Sequence, residues 1–309
     1  MKKYIIIVLL AIIAVETVNA QQDPQYTQYM YNTLVVNPAY AGSRGVLSIN
    51  GLYRSQWVGL EGAPETQTIS FHSPVSKRVG IGLSLVNDEI GEGTRQETYI
   101  DAAFSYTVPT SDTGKLSFGL KVGGEILNVD FSRLANVGIE TNLTNVDRKF
   151  SPNFGAGVYY HTNKFYAGLS VPNILETEHF DDSGLTNSFL ASERINWYLI
   201  TGYVFDLNPN LKFKPAVLFK AVNGAPLQAD LSANFLLKNK FSFGAAYRWD
   251  AAFSALLGFQ LTDQLNIGLA YDREITELGD TAFNDGSFEV FLRYELFTRY
   301  KKVITPRFF

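Results

Sequence analysis

Residues 46–57 read VLSINGLYRSQW, and their side chains alternate between two chemical classes. One face of an extended chain would carry the first class and the opposite face the second: Leu47, Ile49, Tyr53 and Trp57 against Ser48, Asn50, Arg54 and Gln56. A period of two is the pattern of a β-strand, because successive side chains point to opposite faces. The stretch therefore predicts a strand that lies between an apolar and a polar environment.

The same alternation recurs along most of the chain. With 46–57 as the first, fourteen strands are predicted, the others lying near 66–75, 79–86, 98–108, 115–127, 152–161, 165–172, 194–205, 211–221, 227–237, 241–248, 251–261, 265–272 and 286–297. The pattern favours an all-β fold in which consecutive strands are antiparallel neighbours.

The connections between these strands alternate in length. Brief, turn-like links lie at 76–78, 109–114, 162–164, 206–210, 238–240 and 262–264. The other set includes the long links at 58–65, 87–97, 128–151, 174–193 and 273–285, together with the shorter 222–226 and 249–250. Such a meander has its short links at one end, which is typical of outer-membrane barrels with short periplasmic turns.

The two predicted faces fit a barrel wall. The outward set is apolar and includes Phe118, Leu120, Val122, Phe154, Val158, Tyr160, Ile267, Leu269 and Tyr271. The inward set mixes charges with glycines. Closing the sheet pairs every backbone group in lipid and removes the edges. The sequence predicts a single 14-stranded antiparallel transmembrane β-barrel with short periplasmic turns and longer extracellular loops.

The predicted inward charges are Arg54, Asp101, Lys121, Glu125, Lys212, Lys214, Lys220, Asp230, Arg248, Asp272, Glu289 and Arg293. The three lysines of 211–221 could line an anion path or pair across the lumen with Asp101, Glu125, Asp230 and Glu289, and pairing is expected. The inward glycines either make room for long side chains or mark β-bulges. We expect a cross-linked interior and no wide pore.

Composition excludes several classes of protein. The chain has no cysteine, so disulfides, thiolate metal sites and a lipid-modified cysteine are all excluded. The net charge of −4 is mild, and the charged residues are expected to be spread over the molecule. No nucleic-acid partner is therefore expected. Lys2, Lys3 and the apolar residues 4–13, followed by small residues up to Ala20, predict a cleaved signal peptide over 1–20 and export.

These patterns predict a domain order that runs from the export signal to a basic tail. The segments are the signal peptide 1–20, a periplasmic N-terminal segment 21–44, the outer-membrane barrel 45–297 and a periplasmic C-terminal tail 298–309. The expected location is the outer membrane, with both termini in the periplasm because the strand number is even.

The stretch QYTQYMYNTLVVNPAYAG (25–42) is rich in tyrosine. Tyr26, Tyr29, Met30 and Leu34 have a spacing that would gather them on one face of a short helix, which residues 37–38 would end. That apolar face must pack against another surface. The segment either closes the periplasmic mouth of its own barrel or forms an aromatic docking patch for a partner.

Motifs in a fixed order give the chain a family resemblance. They are DPQYTQYMYNTLVVNPAYAGSRG, YRSQWVGLEGAPETQTISFHSP, VGIGLSLVNDEIG, KFYAGLSVPNIL, LKFKPAVLFK, GAPLQADLSANFLL, FGAAYRWDAAFSALLGFQLTDQLNIGLAYD, GSFEVFLRY and the terminal PRFF. Together they resemble the PorP/SprF family of outer-membrane proteins over essentially the whole mature chain. Tyr31 and Thr33 stand where Phe and Pro are common in that family, and Phe288 replaces a frequent His.

The resemblance implies a role in the type IX secretion and gliding-motility apparatus of Bacteroidota. Members of the family are similar to monomeric barrels that help to secrete or anchor adhesins and that contact periplasmic components of the machine. The expected partners are an adhesin-like client, those periplasmic components and outer-membrane lipid. The candidate docking residues are Tyr26, Tyr29, Tyr31, Tyr40, Trp57 and Pro64.

Two other functional classes remain as alternatives. The first is a porin or a transporter of small hydrophobic compounds, which the same barrel could serve. The second is an enzyme, and it is not expected. His72, His161 and His179 are the three histidines, and none has a partner at metal-ligand spacing; His179 lies beside Asp181 and Asp182 in a polar loop. No cofactor is predicted.

Overall fold

The computed structural model describes residues 24–133, 145–176, 178–180, 189–192, 195–223, 225–281 and 283–297, with the backbone alone for 178–180 and 189–192. The expected signal peptide 1–20 and the expected tail 298–309 lie outside the described residues.

Strands make up most of the described chain. They are β1 (Leu47–Ser55), β2 (Glu65–Pro74), β3 (Val79–Ile90), β4 (Arg95–Pro109), β5 (Lys115–Val129), β6 (Val146–His161), β7 (Phe165–Val171), β8 (Glu178–Phe180), β9 (Phe189–Ser192), β10 (Asn196–Tyr203), β11 (Phe205–Asn208), β12 (Leu211–Val222), β13 (Gln228–Leu237), β14 (Phe241–Arg248), β15 (Ala252–Gln260), β16 (Leu265–Glu274) and β17 (Ser287–Leu296). In the same residues no helix has the length and apolarity needed to cross a bilayer.

The strands close into one antiparallel barrel. Neighbours in the chain pair in order, β1 pairs with β17, and β10 pairs with both β7 and β12, so the sheet has no free side. β10 and β11 form one barrel strand interrupted at Val204, because both pair with β12 in one register as far as Asp206. β8 and β9 form a separate hairpin. The closed 14-stranded antiparallel barrel confirms the predicted fold.

The connections divide the barrel into two ends. The short-turn end carries residues 75–78, 110–114, 162–164, 209–210, 238–240 and 261–264, as well as the start of β1 and the end of β17. The long-loop end carries residues 56–64, 91–94, 130–145, 172–195, 223–227, 249–251 and 275–286. All the longest connections therefore share one end.

The long link predicted over 87–97 is wrong. β3 and β4 pair up to Ile90 and Arg95, so only four residues connect them. Three of these residues, Gly91, Glu92 and Gly93, have φ values of 70°, 53° and 81°, which a tight left-handed turn requires. The polar residues of 87–97 interrupt the apolar alternation, but the backbone ladder continues through them.

The two faces of the wall follow the predicted alternation. The outer face is apolar and accessible, with Leu120, Phe154 and Leu269 at 65%, 50% and 51% exposure. The inner face is polar and covered, with Arg54 and Glu289 each at 1%. An apolar outer band of this kind is the surface that transmembrane barrels present to lipid.

The lumen is filled by residues 24–44, which we call the plug. Its regular structure is limited to one helical turn, α1 (Thr33–Val36), and a 3₁₀ turn (Pro38–Tyr40). The predicted helix through 26–34 is therefore mostly absent. The spacing of the apolar residues still buries them together with the wall, in a core that includes Tyr26, Tyr29, Met30, Leu34, Tyr40, Leu52, Tyr159, Ile200 and Phe291.

Replacing Leu120 with arginine tests the membrane-facing side of the wall. Leu120→Arg places a charge on the exposed apolar band, where the expected cost is about 2–4 kcal/mol near the bilayer centre. A urea titration of the barrel refolded into lipid vesicles measures the effect, with heat-modifiable gel migration as the readout. Asp112→Arg, in the exposed turn at 110–114, is the matched control and should change the midpoint little. Equal midpoints for both variants would contradict the assignment of this face to lipid.

Candidate functional site

The start of the plug, around residues 27 and 28, is fixed by a buried cluster of charges. Glu289 accepts hydrogen bonds from the backbone N–H groups of Thr27 at 2.9 Å and Gln28 at 2.8 Å. The Nη1 atom of Arg54 lies 2.7 Å from Asp272 Oδ2 and 3.3 Å from Glu289 Oε2. Thr27 also donates its hydroxyl to Asp272 at 2.5 Å. We call Arg54, Asp272 and Glu289 the latch.

The side chains of the latch are at most 1% exposed. Two carboxylates this close to each other would repel in a medium of low dielectric constant, and the guanidinium of Arg54 offsets that repulsion. Removing one partner of a buried ion pair costs about 3–5 kcal/mol, because the other charge stays buried and unpaired. Loss of any one of these three charges should therefore weaken the contact between the latch and the plug.

The middle of the plug is bonded to the wall through its backbone. Ser170 donates its hydroxyl to the carbonyl of Val36 at 2.8 Å, and Ser105 donates to the carbonyl of Ala41 at 2.7 Å. The two accepting carbonyl groups belong to the second half of the plug. They satisfy carbonyl groups that a short, irregular segment cannot pair internally.

Two inward glycines of the wall lie directly against the plug backbone. A Cβ atom on Gly80 would collide with the carbonyl of Ala41, and one on Gly119 would collide with the backbone of Ala39. Neither explanation offered by the sequence, room for long side chains or β-bulges, describes these two positions. Their smallness makes room for another stretch of main chain.

The plug is also fixed at the short-turn end. The Nε atom of Arg44 lies 2.6 Å from Glu295 Oε1, and both side chains are under 10% exposed. The ring of Tyr31 stacks on Phe291 with centroids 3.7 Å apart, and Arg293 lies 5.3 Å above the same tyrosine ring. The plug is therefore fixed near both ends of the lumen.

Two further acids of the lumen, Asp101 and Asp230, are paired with cations. Asp101 pairs with Lys121 at 2.9 Å, and Asp230 pairs with Arg248 at 3.1 Å. In each case the partner lies on the neighbouring strand, because side chains on adjacent strands are already within reach of one another. Asp101 and Asp230 therefore bond to cations of adjacent strands, where the prediction had them pair with lysines of β12 across the lumen.

The six candidate docking residues contact their own barrel. Tyr26, Tyr29, Tyr40 and Pro64 are buried, while Tyr31 and Trp57 are half-buried. Burial raises the pKa of the Tyr26 and Tyr29 hydroxyls, so both are neutral. Of the two alternatives for residues 25–42, the structure has the segment inside its own barrel, and it reaches well beyond the mouth. A docking role for these residues stays a prediction.

The loop 56–64 at the long-loop end is fixed by its neighbours. The indole Nε1 of Trp57 donates to Glu274 Oε1 at 3.0 Å, and its backbone has a φ of 44°, which is strained for a bulky residue. Val58 exchanges backbone hydrogen bonds with residues 285 and 286, and Gly62 accepts one from Gly91. The loop is therefore conformationally constrained, and its residue Glu61 is exposed.

Charge is separated between the two ends, so the expectation of an even distribution is wrong. Among the described residues, the short turns carry Lys77, Arg78, Lys164, Lys238 and Lys240 against Asp112 and Asp263. The described parts of the long-loop connections carry Glu61, Glu92, Asp130, Glu176, Asp250, Glu277, Asp280 and Asp285 against Arg133. The net charge of the whole sequence does not reveal this separation, because basic turns and acidic loops alternate along the chain.

Space remains beside the plug and outside the wall. A luminal cavity of 70 Å³ lies between Tyr26, Tyr29, Tyr99 and Tyr198. An apolar groove of 650 Å³ runs along the outer face near Phe118 and Trp197.

His72 and His161 are buried, and the side chain of His179 lies outside the described residues. Across the residues described, no group of three acidic or histidine side chains could hold a metal ion.

Solved structures similar to this chain are outer-membrane barrels. The Ralstonia pickettii toluene transporter TbuX matches 85% of this chain and 92% of its own at 10% identity, with a TM-score of 0.51. The CymD monoaromatic hydrocarbon channel matches 87% and 94% at 10% identity, also with a TM-score of 0.51. The outer membrane protein Omp33 of Acinetobacter baumannii matches 81% and 99% at 10% identity, with a TM-score of 0.48.

At such low identity these similarities concern the fold alone. No curated protein matches the sequence. A family model described as the type IX secretion system membrane protein PorP/SprF matches residues 18–294, which is nearly the whole chain. The chain, an outer-membrane β-barrel closed around its own N-terminal segment, therefore belongs to the PorP/SprF family of type IX secretion system membrane proteins.

Proposed function

We propose that this protein is an accessory component of the type IX secretion and gliding-motility system. It aids the secretion or surface anchoring of an adhesin-like client by protein–protein docking, and it catalyses no reaction. Family membership over residues 18–294 is the observation that carries the proposal. The plug supports it as well, because a lumen closed by buried ion pairs suits a docking barrel better than a conduit.

The proposed orientation has the short-turn end in the periplasm and the long-loop end at the cell surface, as in other outer-membrane barrels. The short-turn end, with the C-terminal tail 298–309, then faces the periplasmic components of the machine. The long-loop end faces the client. Since the plug lies inside the barrel, docking through its tyrosines would require part of it to leave the lumen, whereas loop 56–64 is available without rearrangement.

Loop 56–64 is the first docking surface that we propose for the client. Binding by a constrained loop avoids the entropic cost of ordering it at the moment of contact. Trp57 and Pro64 act here as supports, and the exposed residues Gly59 and Glu61 form the contact surface. This assigns an indirect role to two of the six candidate docking residues.

A second candidate function is a channel for small hydrophobic compounds. Two observations favour it: the luminal cavity lined by four tyrosine rings, and the apolar groove on the outer face of the wall. The solved structures of similar fold include a toluene transporter and a monoaromatic hydrocarbon channel. Transport would require the plug to open a path.

Truncating Trp57 tests the docking loop. Trp57→Ala removes the indole bond to Glu274, which as a bond to a charged group contributes about 1.5–3 kcal/mol, so the population of the ordered loop should fall about tenfold or more. We expect less client adhesin at the cell surface, measured by antibody labelling of intact cells. Trp249→Ala, which truncates an exposed tryptophan of the 249–251 turn, is the control. Equal loss of labelling in both variants would argue against this loop.

Conductance in planar bilayers separates the two candidate functions. The wild-type barrel should be nearly silent, and Arg54→Ala should produce current, because Asp272 and Glu289 then repel each other and release the plug. Arg273→Ala removes an arginine of the same end that bonds loop carbonyls of residues 279 and 284, and it should stay silent. Steady wild-type current in proportion to salt would favour the channel.

Co-isolation tests the accessory role directly. A tagged chain extracted from native outer membranes in mild detergent should carry periplasmic components of the secretion machine and the client. A tagged unrelated barrel from the same membranes is the control. A barrel that arrives without companions, while secretion of the client continues normally in a strain lacking this protein, would contradict the proposed function.

A further inference from the structure

We propose that the short-turn end binds an acidic polypeptide segment of a partner protein, in a groove between the plug and the β2–β3 turn. The groove has a volume of 650 Å³, which is within the range of about 300–1,000 Å³ for ligand pockets. The end of the plug, Ala41–Ser43, and the following Gly45 form one side, and residues 74–80 form the other. We call it the basic groove.

Cations line the basic groove without a carboxylate among its lining residues. Lys77 projects from the exposed turn, and Lys115 is the first residue of β5. Lys115 shares the inward face of β5 with the buried Ser117 and Lys121, so it points toward the lumen side of the rim. Within the described residues, neither Lys77 nor Lys115 makes an ion pair. Among the described residues, these two lysines therefore have no counter-charge.

The third cation of the groove is differently placed. Arg78 donates to the hydroxyl of Tyr106 at 3.3 Å, and Tyr106 lies on the outer face of the wall. Its guanidinium is therefore drawn toward the outside of the barrel. Lys77 and Lys115 are the charges that an occupant of the basic groove would meet.

No acidic side chain lines the basic groove, and Asp112 and Asp263, the acids of the short turns, are not among its lining residues. The nearest unassigned stretch by sequence is 298–309, which follows β17 at the short-turn end and reads TRYKKVITPRFF. It contains four basic residues and no acidic one, so it would add to the positive charge and not neutralise it. We therefore assign the complementary charge to a second molecule.

The position of the groove favours a polypeptide over membrane phosphates. Lipid headgroups surround the outer face of a barrel, whereas the basic groove lies inside the ring of turns and has the plug as its inner wall. Lys115 is on the inward face, away from the bilayer. A chain with several aspartate or glutamate residues can enter from the aqueous side and bring its charges to both lysines.

The inference deepens the proposed function, since it names the chemistry of the periplasmic partner. It rests on that function for its biological setting, but the binding itself can be measured without any secretion component. Failure of the peptide experiment below would leave co-isolation of secretion components untouched. Failure of co-isolation would equally leave peptide binding untouched, so the two proposals can be judged separately.

The test uses the purified full-length barrel in a neutral detergent and a fluorescein-labelled peptide of alternating Glu and Ser. Fluorescence anisotropy should show saturable binding at 50 mM salt that weakens strongly at 500 mM, because salt screens exposed charges. Lys77→Glu with Lys115→Glu should weaken binding by about tenfold or more, since each exposed contact is modest and both reverse sign. Lys77→Gln with Lys115→Gln should give a smaller loss.

The matched control is Lys238→Glu with Lys240→Glu, in the β13–β14 turn on the opposite side of the same rim. It changes the net charge equally and should leave peptide binding nearly intact. All variants are first checked for heat-modifiable migration of the folded barrel. The proposal is overturned by equal losses in both charge-reversed variants or by equal binding of a Gln and Ser peptide. Binding to phosphatidylglycerol vesicles that depends on Lys77 and Lys115, with no binding of the acidic peptide, would assign the groove to lipid and overturn it as well.

Discussion

The structure depends on one constraint: every backbone N–H and C=O group of the wall must find a partner in a medium that offers none. The β1–β17 ladder meets this constraint, because it joins the first strand to the last and leaves no open edge. Closure of the barrel also determines the two faces of the wall and the enclosed space. It commits alternate side chains to an apolar outside and a polar inside, and it encloses a lumen that some other part of the chain can occupy.

Local periodicity explains how much the sequence could predict. Strand positions and faces follow from an alternation within about ten residues, so the sequence predicts on which side of the wall Leu120 and Glu289 lie. The depth of the plug could not be read in this way, because it depends on contacts between residues more than a hundred positions apart, such as Val36 with Ser170. The role of Gly119 was hidden for the same reason, since its neighbour is the distant Ala39.

The filled interior shifts attention from the lumen to the two ends. A barrel whose interior is occupied by its own residues offers partners mainly its rims and loops, and here these carry opposite charge. A wholly local signal could not have revealed that separation, since acidic loops and basic turns follow one another along the chain. The proposed function assigns these two ends to different partners.

The latch lies on the seam of the barrel. Arg54 of β1 and Glu289 of β17 are direct cross-strand partners in the ladder that completes the ring. The pair that grips Thr27 and Gln28 therefore does not exist until the final strand of the chain has met the first. An incompletely assembled barrel therefore lacks the latch, and the bonds from Glu289 to the start of the plug form only when the last strand has joined the first.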